Sequence, residues 1–210
     1  YTSPHLSRFA ERIRIGGVPI DDAALVPILS DVLAREPELS FFEAATLAAF
    51  LAFRTANADL VVLEVGLGGR LDATNVVESP LACAVTRIAF DHMDKLGDTL
   101  EAIAAEKAAI AKPGVPLYYG LLAPSVAATV ERVARARGAH VHAVADDAEA
   151  AAFASTAELS LAGKHQRENA RIAYAVARAL GVDASVVAHG ISEARWPGRL
   201  ERVVAAGGLV

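Results

Sequence analysis

The chain has 210 residues, of which 54% are hydrophobic and 21% charged, enough apolar material for a sizeable core and too much for a disordered chain. Its 20 Lys and Arg against 25 Asp and Glu leave a formal charge of −5, so no basic surplus calls for nucleic acid. The apolar run from Leu60 to Val65 is a strand's length, far short of the ~20 residues a membrane helix needs, and a single cysteine, Cys83, excludes an internal disulfide framework and a Cys-rich zinc site. A reducing, cytoplasmic setting and no membrane partner follow as expectations. The first residue is Tyr1 rather than Met, and nothing near it resembles a signal peptide.

In chain order, Ser7 to Ile15 alternates loosely, carries Arg8, Arg12 and Arg14, and reads as a solvated basic strand or loop. Ala24 to Leu33 has helical periodicity, with Asp21 and Asp22 available as caps. Phe41 to Phe53 is apolar almost all round and predicts a deeply buried helix. Leu60-Val61-Val62-Leu63 predicts a strand buried on both faces, and Ala82 to Ile88 a second one. Val115 to Tyr119 and His140 to Val144 are shorter strand candidates. Thr99 to Ala111 opens on a Thr cap and stops at Lys112-Pro113-Gly114; Ser125 to Arg137, Arg167 to Leu180 and Ala184 to Ala194 are further helices. Asp146 to Ala157 is Ala-rich and fits a helix or a loop equally. Trp196-Pro197-Gly198 reads as a turn, and Val203 to Val210 as the start of a strand. Strands separated by helices of this length imply βαβ units, hence an α/β fold with a mostly parallel sheet flanked by helices.

Glu64 ends an apolar strand and is followed at once by Gly66-Leu67-Gly68-Gly69. Burying a carboxylate is costly, and the C-terminal ends of strands in open α/β sheets are where ligands bind. The plainer alternative is a glutamate that emerges into solvent or pairs with Arg70. The glycines match a dinucleotide fingerprint poorly, because its third glycine would fall at Leu71. No G-x-x-x-x-G-K-[ST] phosphate cradle occurs in the 210 residues. Asp91-His92 follows the second strand run, where an imidazole can bind a metal or act as a base. Two parallel strands would carry Glu64 and His92 to one sheet edge, and a carboxylate and an imidazole with a hydroxyl suit a divalent ion. Lys107 reads by periodicity as an ordinary helix-surface lysine, although its neighbours are nearly all alanine. Ser3 precedes Pro4, so its backbone is extended.

Taken together, Thr2-Ser3-Pro4-His5-Leu6 with Arg8-Phe9-x-Glu11-Arg12-Ile13, and Leu63-Glu64-Val65-Gly66-Leu67-Gly68-Gly69-Arg70-Leu71-Asp72-Ala73-Thr74-Asn75, closely resemble the folylpolyglutamate synthase / dihydrofolate synthase family of the Mur ligase superfamily. Asp91-His92 with Leu96-Gly97, Glu106-Lys107-Ala108, His165-Gln166 with Asn169-Ala170, and Pro197-Gly198-Arg199 continue the resemblance in the same order. It implies a Mur-ligase-like ATP-binding central domain over residues 1–202, with 203–210 opening a C-terminal ligase domain. A P-loop is expected upstream of Tyr1, and without both outer parts the 210 residues are expected to be inactive.

The resemblance further implies an ATP-dependent carbon–nitrogen ligase of folate biosynthesis and one-carbon metabolism. ATP phosphorylates the carboxylate of dihydropteroate or a folate, and the amino group of L-glutamate attacks the acyl phosphate. Ser3, Glu64 and His92 are implied to hold Mg²⁺, and Lys107 to be carboxylated on its amine. Asn169 and Arg199 are implied to contact ATP. Phe41, Phe42, Glu43, Leu71, Asp72 and Ala73 fall in the segments that meet the pterin, where the two rings suit stacking and Glu43 or Asp72 could accept from pterin N–H groups. The enzyme is expected to be a monomer. Two rivals stand beside this reading: another Mur-type amino-acid ligase acting on a cell-wall precursor, and a catalytically inactive fragment that holds a pterin without ATP.

Overall fold

The computed structural model describes residues 1–200, 204–205 and 208–209. The chain divides into two compact units, Tyr1–Val77 and Glu78–Val210. The boundary expected at 202–203 lies outside the described residues.

The first unit opens on a loop that enters a short 3-10 turn over Phe9–Arg12. Strands β1 (Arg14–Ile15) and β2 (Val18–Pro19) then pair antiparallel, with Ile15 opposite Val18. The two residues between them, Gly16 and Gly17, have φ of +57° and +81°, the sign that tight hairpin turns demand and that side chains resist. Helix α1 (Asp22–Arg35) is capped by Asp21, whose carboxylate accepts from the Ala23 N–H at 3.1 Å. Helix α2 (Phe41–Thr55) opens with a capping box: Glu43 N–H donates to Ser40 Oγ and Ser40 N–H to Glu43 Oε2. Its inner face is nearly all alanine (Ala44, Ala45, Ala48, Ala49 and Ala52 are buried), which favours the helix and brings it close to its neighbours. Ala45, Ala48, Ala49 and Ala52 join Tyr1, Ala10, Ile13, Leu25 and Phe53 in one core. The predicted deep burial holds for this face, but Phe41 at the first position is 63% exposed.

Two expectations for this unit are corrected. Ser7–Ile15 is no solvated strand or loop throughout: it contains the 3-10 turn, and Arg12 is only 8% exposed. Its guanidinium lies 5.8 Å from the Phe9 ring centroid and 5.2 Å from that of Phe41, so two aromatic faces and a hydrogen bond to His5 replace water around the charge. Leu60–Leu63 does not form a strand buried on both faces. The segment takes no regular secondary structure, and its backbone pairing is one residue long: Tyr1 N–H donates to Val62 O (2.8 Å), and Glu64 N–H to Tyr1 O (2.9 Å). A ladder that short covers little side-chain surface, and Leu60, Val61 and Val62 are exposed.

In the second unit, β3 (Cys83–Val85), β4 (Pro116–Tyr119) and β5 (His140–Ala143) form a parallel sheet in sequence order. The register pairs Cys83 with Leu117 and Tyr119 with Ala143. Short helix α3 (Met93–Leu96) and helix α4 (Leu100–Ala108), capped by the Thr99 hydroxyl, connect β3 to β4. Helix α5 (Pro124–Ala136) carries proline at its start, where no N–H is needed, and buries Val126, Val130 and Ala134. The undecided Asp146–Ala157 segment is helix α6 (Ala148–Thr156); the Asp147 carboxylate, accepting from Ala150 N–H at 2.9 Å, supplies the start signal that periodicity lacked. Helix α7 (Lys164–Ala179) stacks Tyr174 on Phe153 of α6, with centroids 4.2 Å apart, and α8 (Ala184–Ser192) follows. Trp196–Gly198 is a turn as expected, with Arg199 N–H donating to Trp196 O. In place of the single strand expected from Val203, β6 (Val204–Ala205) and β7 (Gly208–Leu209) pair antiparallel; the rest of that stretch lies outside the described residues. No helix among the described residues is long and apolar enough to cross a membrane.

Leu117, at the centre of β4, is fully buried. Leu117→Ala should cost about 2–5 kcal/mol in urea unfolding, the range for truncating a fully buried leucine.

Candidate active site

The first unit brings Ser3 and Glu64 together. Tyr1 straddles Val62 and Glu64 by backbone hydrogen bonds, and two residues on the Ser3 N–H donates to Glu64 Oε2 at 2.9 Å. The loop carrying Ser3 is closed at its base by Thr2 N–H to Arg12 O, 2.9 Å. Within it the Glu11 carboxylate accepts from the N–H groups of Leu6, Ser7 and Arg8. These bonds hold the Glu11 carboxyl below the usual carboxylate range.

Beyond Glu64 the chain turns sharply, and the turn is built around Asp72. Its Oδ2 accepts from Gly66 N–H (3.0 Å) and Leu67 N–H (2.9 Å), and its Oδ1 from Thr74 N–H (2.9 Å) and Thr74 Oγ1 (2.6 Å). Four donors fill the roughly four lone-pair positions of a carboxylate, so Asp72 is foremost the tie of this turn. Phe42 lies against the same turn: a Cβ on Gly66 would sit 2.4 Å from Phe42 Cζ, so only glycine fits beneath the ring. Phe42 also meets Tyr1, at 5.9 Å between ring centroids. Phe41, exposed, packs edge-on against Phe9 at 5.7 Å. Glu43 is engaged in the α2 capping box, whose hydrogen bonds lower its pKa. Leu71 is 81% exposed, and Ala73 begins a 3-10 turn.

The second unit holds the remaining expected residues. His92 sits immediately before α3 in a left-handed conformation, φ 47° and ψ 42°, and its carbonyl accepts from Lys95 and Leu96 N–H. Its Nε2 is 3.6 Å from Asp91 Oδ1. Left-handed backbone in a residue other than glycine is uncommon and gathers at functional sites. Lys107, in the last turn of α4, is half-buried among alanines rather than a plain surface lysine. Asn169 Nδ2 donates to Gln166 Oε1 (3.0 Å), and both line a cavity of about 150 Å³ with Leu159, Leu161 and Ile191. The Arg199 guanidinium lies 5.7 Å from the Trp196 ring centroid.

Chemically, a hydroxyl residue held against a half-buried carboxylate is an oxygen set suited to a hard dication such as Mg²⁺. Among the described residues no group of three or more His, Cys, Asp and Glu side chains gathers to hold a metal. Sequence reasoning missed the organising roles of Glu11, Arg12 and Asp72. The Arg8–Glu11 spacing of a capping box was there to be read for Glu11, whereas nothing local marks Arg12 as a buried cation.

The parallel α/β sheet belongs to the second unit, and the Ser3–Glu64 pair to the first. The family model for the Mur ligase middle domain matches residues 21–155, and the chain belongs to that family. The Escherichia coli dihydrofolate synthase/folylpolyglutamate synthase is 37% identical over 217 residues, covering 97% of this chain and 50% of that protein. The solved structure of E. coli FolC in complex with DHPP and ADP matches 97% of this chain and 51% of its own, at 35% identity and a TM-score of 0.84. Folylpolyglutamate synthase from Thermotoga maritima matches the whole of this chain and 54% of its own, at 33% identity and a TM-score of 0.81. The chain spans about half the length of the E. coli relative, and 28% of a Halobacterium salinarum bifunctional folylpolyglutamate synthase/dihydropteroate synthase that is 38% identical over 226 residues.

Two outcomes follow from the first unit. Gly66→Ala should displace Phe42 and destabilise the chain by about 1–3 kcal/mol in chemical denaturation, as overpacking does. The lowered pKa values of Glu11 and Glu43 stabilise the fold at neutral pH. That stability should disappear as the pH falls through their folded values, below the ordinary carboxylate range. Thermal melts between neutral and acid pH should show the loss, and Glu11→Gln should flatten it.

Proposed function

We propose that this chain is the central part of a cytoplasmic, monomeric ATP-dependent ligase that joins L-glutamate to dihydropteroate or a folate, with release of ADP and phosphate. The observation that carries the proposal is the tie between Ser3 and Glu64 within a chain that matches dihydrofolate and folylpolyglutamate synthases over nearly its whole length. The relative solved with DHPP and ADP supports both substrate classes, and an FPGS–AMPPCP–folate complex matches 97% of this chain at a TM-score of 0.82.

In this reading Ser3, Glu64 and His92 are the residues that hold Mg²⁺. The ion, when bound, neutralises charge on the transferred phosphoryl group. Glu64 presents a carboxylate whose Oε2 is already oriented by the Ser3 N–H, so little side-chain freedom is lost on binding. The uncommon backbone at His92 fits a residue placed by function rather than by propensity. Lys107, as a neutral amine, attacks carbon dioxide at Nζ and releases a proton, leaving an anionic carbamate in a half-buried helix turn. Asn169 and Arg199 contact the nucleotide. Phe41, Phe42, Glu43, Leu71, Asp72 and Ala73 border the pterin. Phe42 is braced by Tyr1 and Gly66, and Asp72 holds the turn that places Leu71 and Ala73. The carboxylate of the bound acid takes the phosphoryl group of ATP, and the glutamate amine then displaces phosphate to close the amide.

The test uses the full protein. ADP should be released only when dihydropteroate or a folate is supplied together with glutamate; release with a cell-wall nucleotide precursor and with no pterin would discard the folate assignment. Glu64→Ala should cost more than the ~10–100-fold that loss of an outer-shell metal partner costs, with the circular dichroism spectrum retained. Lys107→Ala should lose most of the activity and recover part of it with added formate or acetate. Full activity in that variant would return Lys107 to an ordinary helix position.

A further inference from the structure

Glu11 is the only acidic residue between Tyr1 and Arg14, and the chemistry above gives it no task. Its carboxylate faces inward across its own loop. Oε2 accepts from Leu6 N–H at 2.8 Å, and Oε1 from Ser7 N–H at 3.1 Å and Arg8 N–H at 2.7 Å. Three consecutive N–H groups converging on one anion make a concavity that elsewhere would hold a phosphate or sulfate; here the chain fills it from within.

The neighbouring cations are engaged elsewhere. The Arg8 guanidinium pairs with Asp22, and Arg12 Nε donates to His5 Nδ1 (2.8 Å) while its guanidinium lies near Phe9 and Phe41. The Glu11 charge is therefore met mainly by backbone dipoles, with His5 the nearby titratable group. Between the Thr2–Arg12 bond at the loop's base and the three N–H groups on Glu11, only Ser3, Pro4 and His5 remain. Ser3 N–H is the group that meets Glu64. The path of those three residues is set from both ends.

We propose that Glu11 is a positioning residue for the Ser3–Glu64 pair: by gathering the Leu6, Ser7 and Arg8 N–H groups it shapes the loop so that Ser3 meets Glu64. This rests on the reading of Ser3 and Glu64 as Mg²⁺ ligands. In Glu11→Gln one carboxylate oxygen becomes an NH₂ that cannot accept, so at least one of the three loop N–H groups loses its partner.

In the full protein, Glu11→Gln should raise the Mg²⁺ concentration needed for half-maximal rate by about tenfold or more, while the KM for glutamate stays at the parental value. Trypsin cleavage after Arg8, followed by mass spectrometry, should become faster while the thermal transition stays cooperative. Glu11→Ala should move both readouts the same way. Parental Mg²⁺ requirement and cleavage rate in the glutamine variant would overturn the proposal. So would an equal rise in every kinetic constant, since that marks a general loss of fold. Should the parent protein ligate nothing, the proposed function fails by itself; the cleavage rate at Arg8 still reports on Glu11, and an unchanged rate overturns its role.

Discussion

Two backbone hydrogen bonds at Tyr1 decide where the chemistry of the first unit sits. The residue donates to Val62 O and accepts from Glu64 N–H, so the amino-terminal loop starts from a fixed point beside the 60–65 segment. Backbone polar groups withdrawn from water must be paired, and satisfying them at Tyr1 leaves the following N–H groups to find partners in turn. Thr2 finds Arg12 O, and Ser3 finds the Glu64 carboxylate. The Tyr1 ring meanwhile enters the alanine-rich core and braces Phe42, which in turn lies over Gly66. Loop, helix and glycine turn thus share one anchor.

Carboxylates do most of the local organising. Asp21 and Asp147 start helices, Glu43 closes a capping box, Glu11 gathers a loop, and Asp72 knits the turn behind Glu64. Each trades hydration for N–H donors that a helix start or tight turn would otherwise leave unsatisfied. An acidic residue in a conspicuous motif is therefore as readily a tie as a catalyst, and Glu64 stands apart because it ends an apolar run rather than opening a turn. Its side chain accepts from the N–H of a loop residue 61 positions away in sequence.

The elements of the second unit were readable because local signals agree there. Thr99 is a cap, and Val126, Val130 and Ala134 repeat at helical spacing; the exception is the 146–157 segment, whose alanines carry no period and left helix and loop open. The first unit was less readable. A helix can be recognised from four or five neighbours, but Leu60–Leu63 needed to know its strand partners, and its single-residue ladder with Tyr1 spans about sixty positions of sequence. Arg12 was misread for a similar reason. Its burial depends on Phe41 arriving from another helix, which no local pattern announces.

By itself the sequence determined the α/β class, most of the helices and the family, because caps, periodicity and contiguous motifs are properties of neighbouring residues. It also named Ser3 and Glu64 as candidates. Tertiary structure decided what those candidates touch: that Ser3 meets Glu64 through its backbone N–H, that Asp72 is committed to its own turn, that Glu43 serves a capping box and that Arg12 is enclosed by rings. A side chain's charge and hydrogen-bonding capacity are written in its identity. How that capacity is used depends on which donors the folded backbone leaves unpaired nearby, and only the assembled chain sets that.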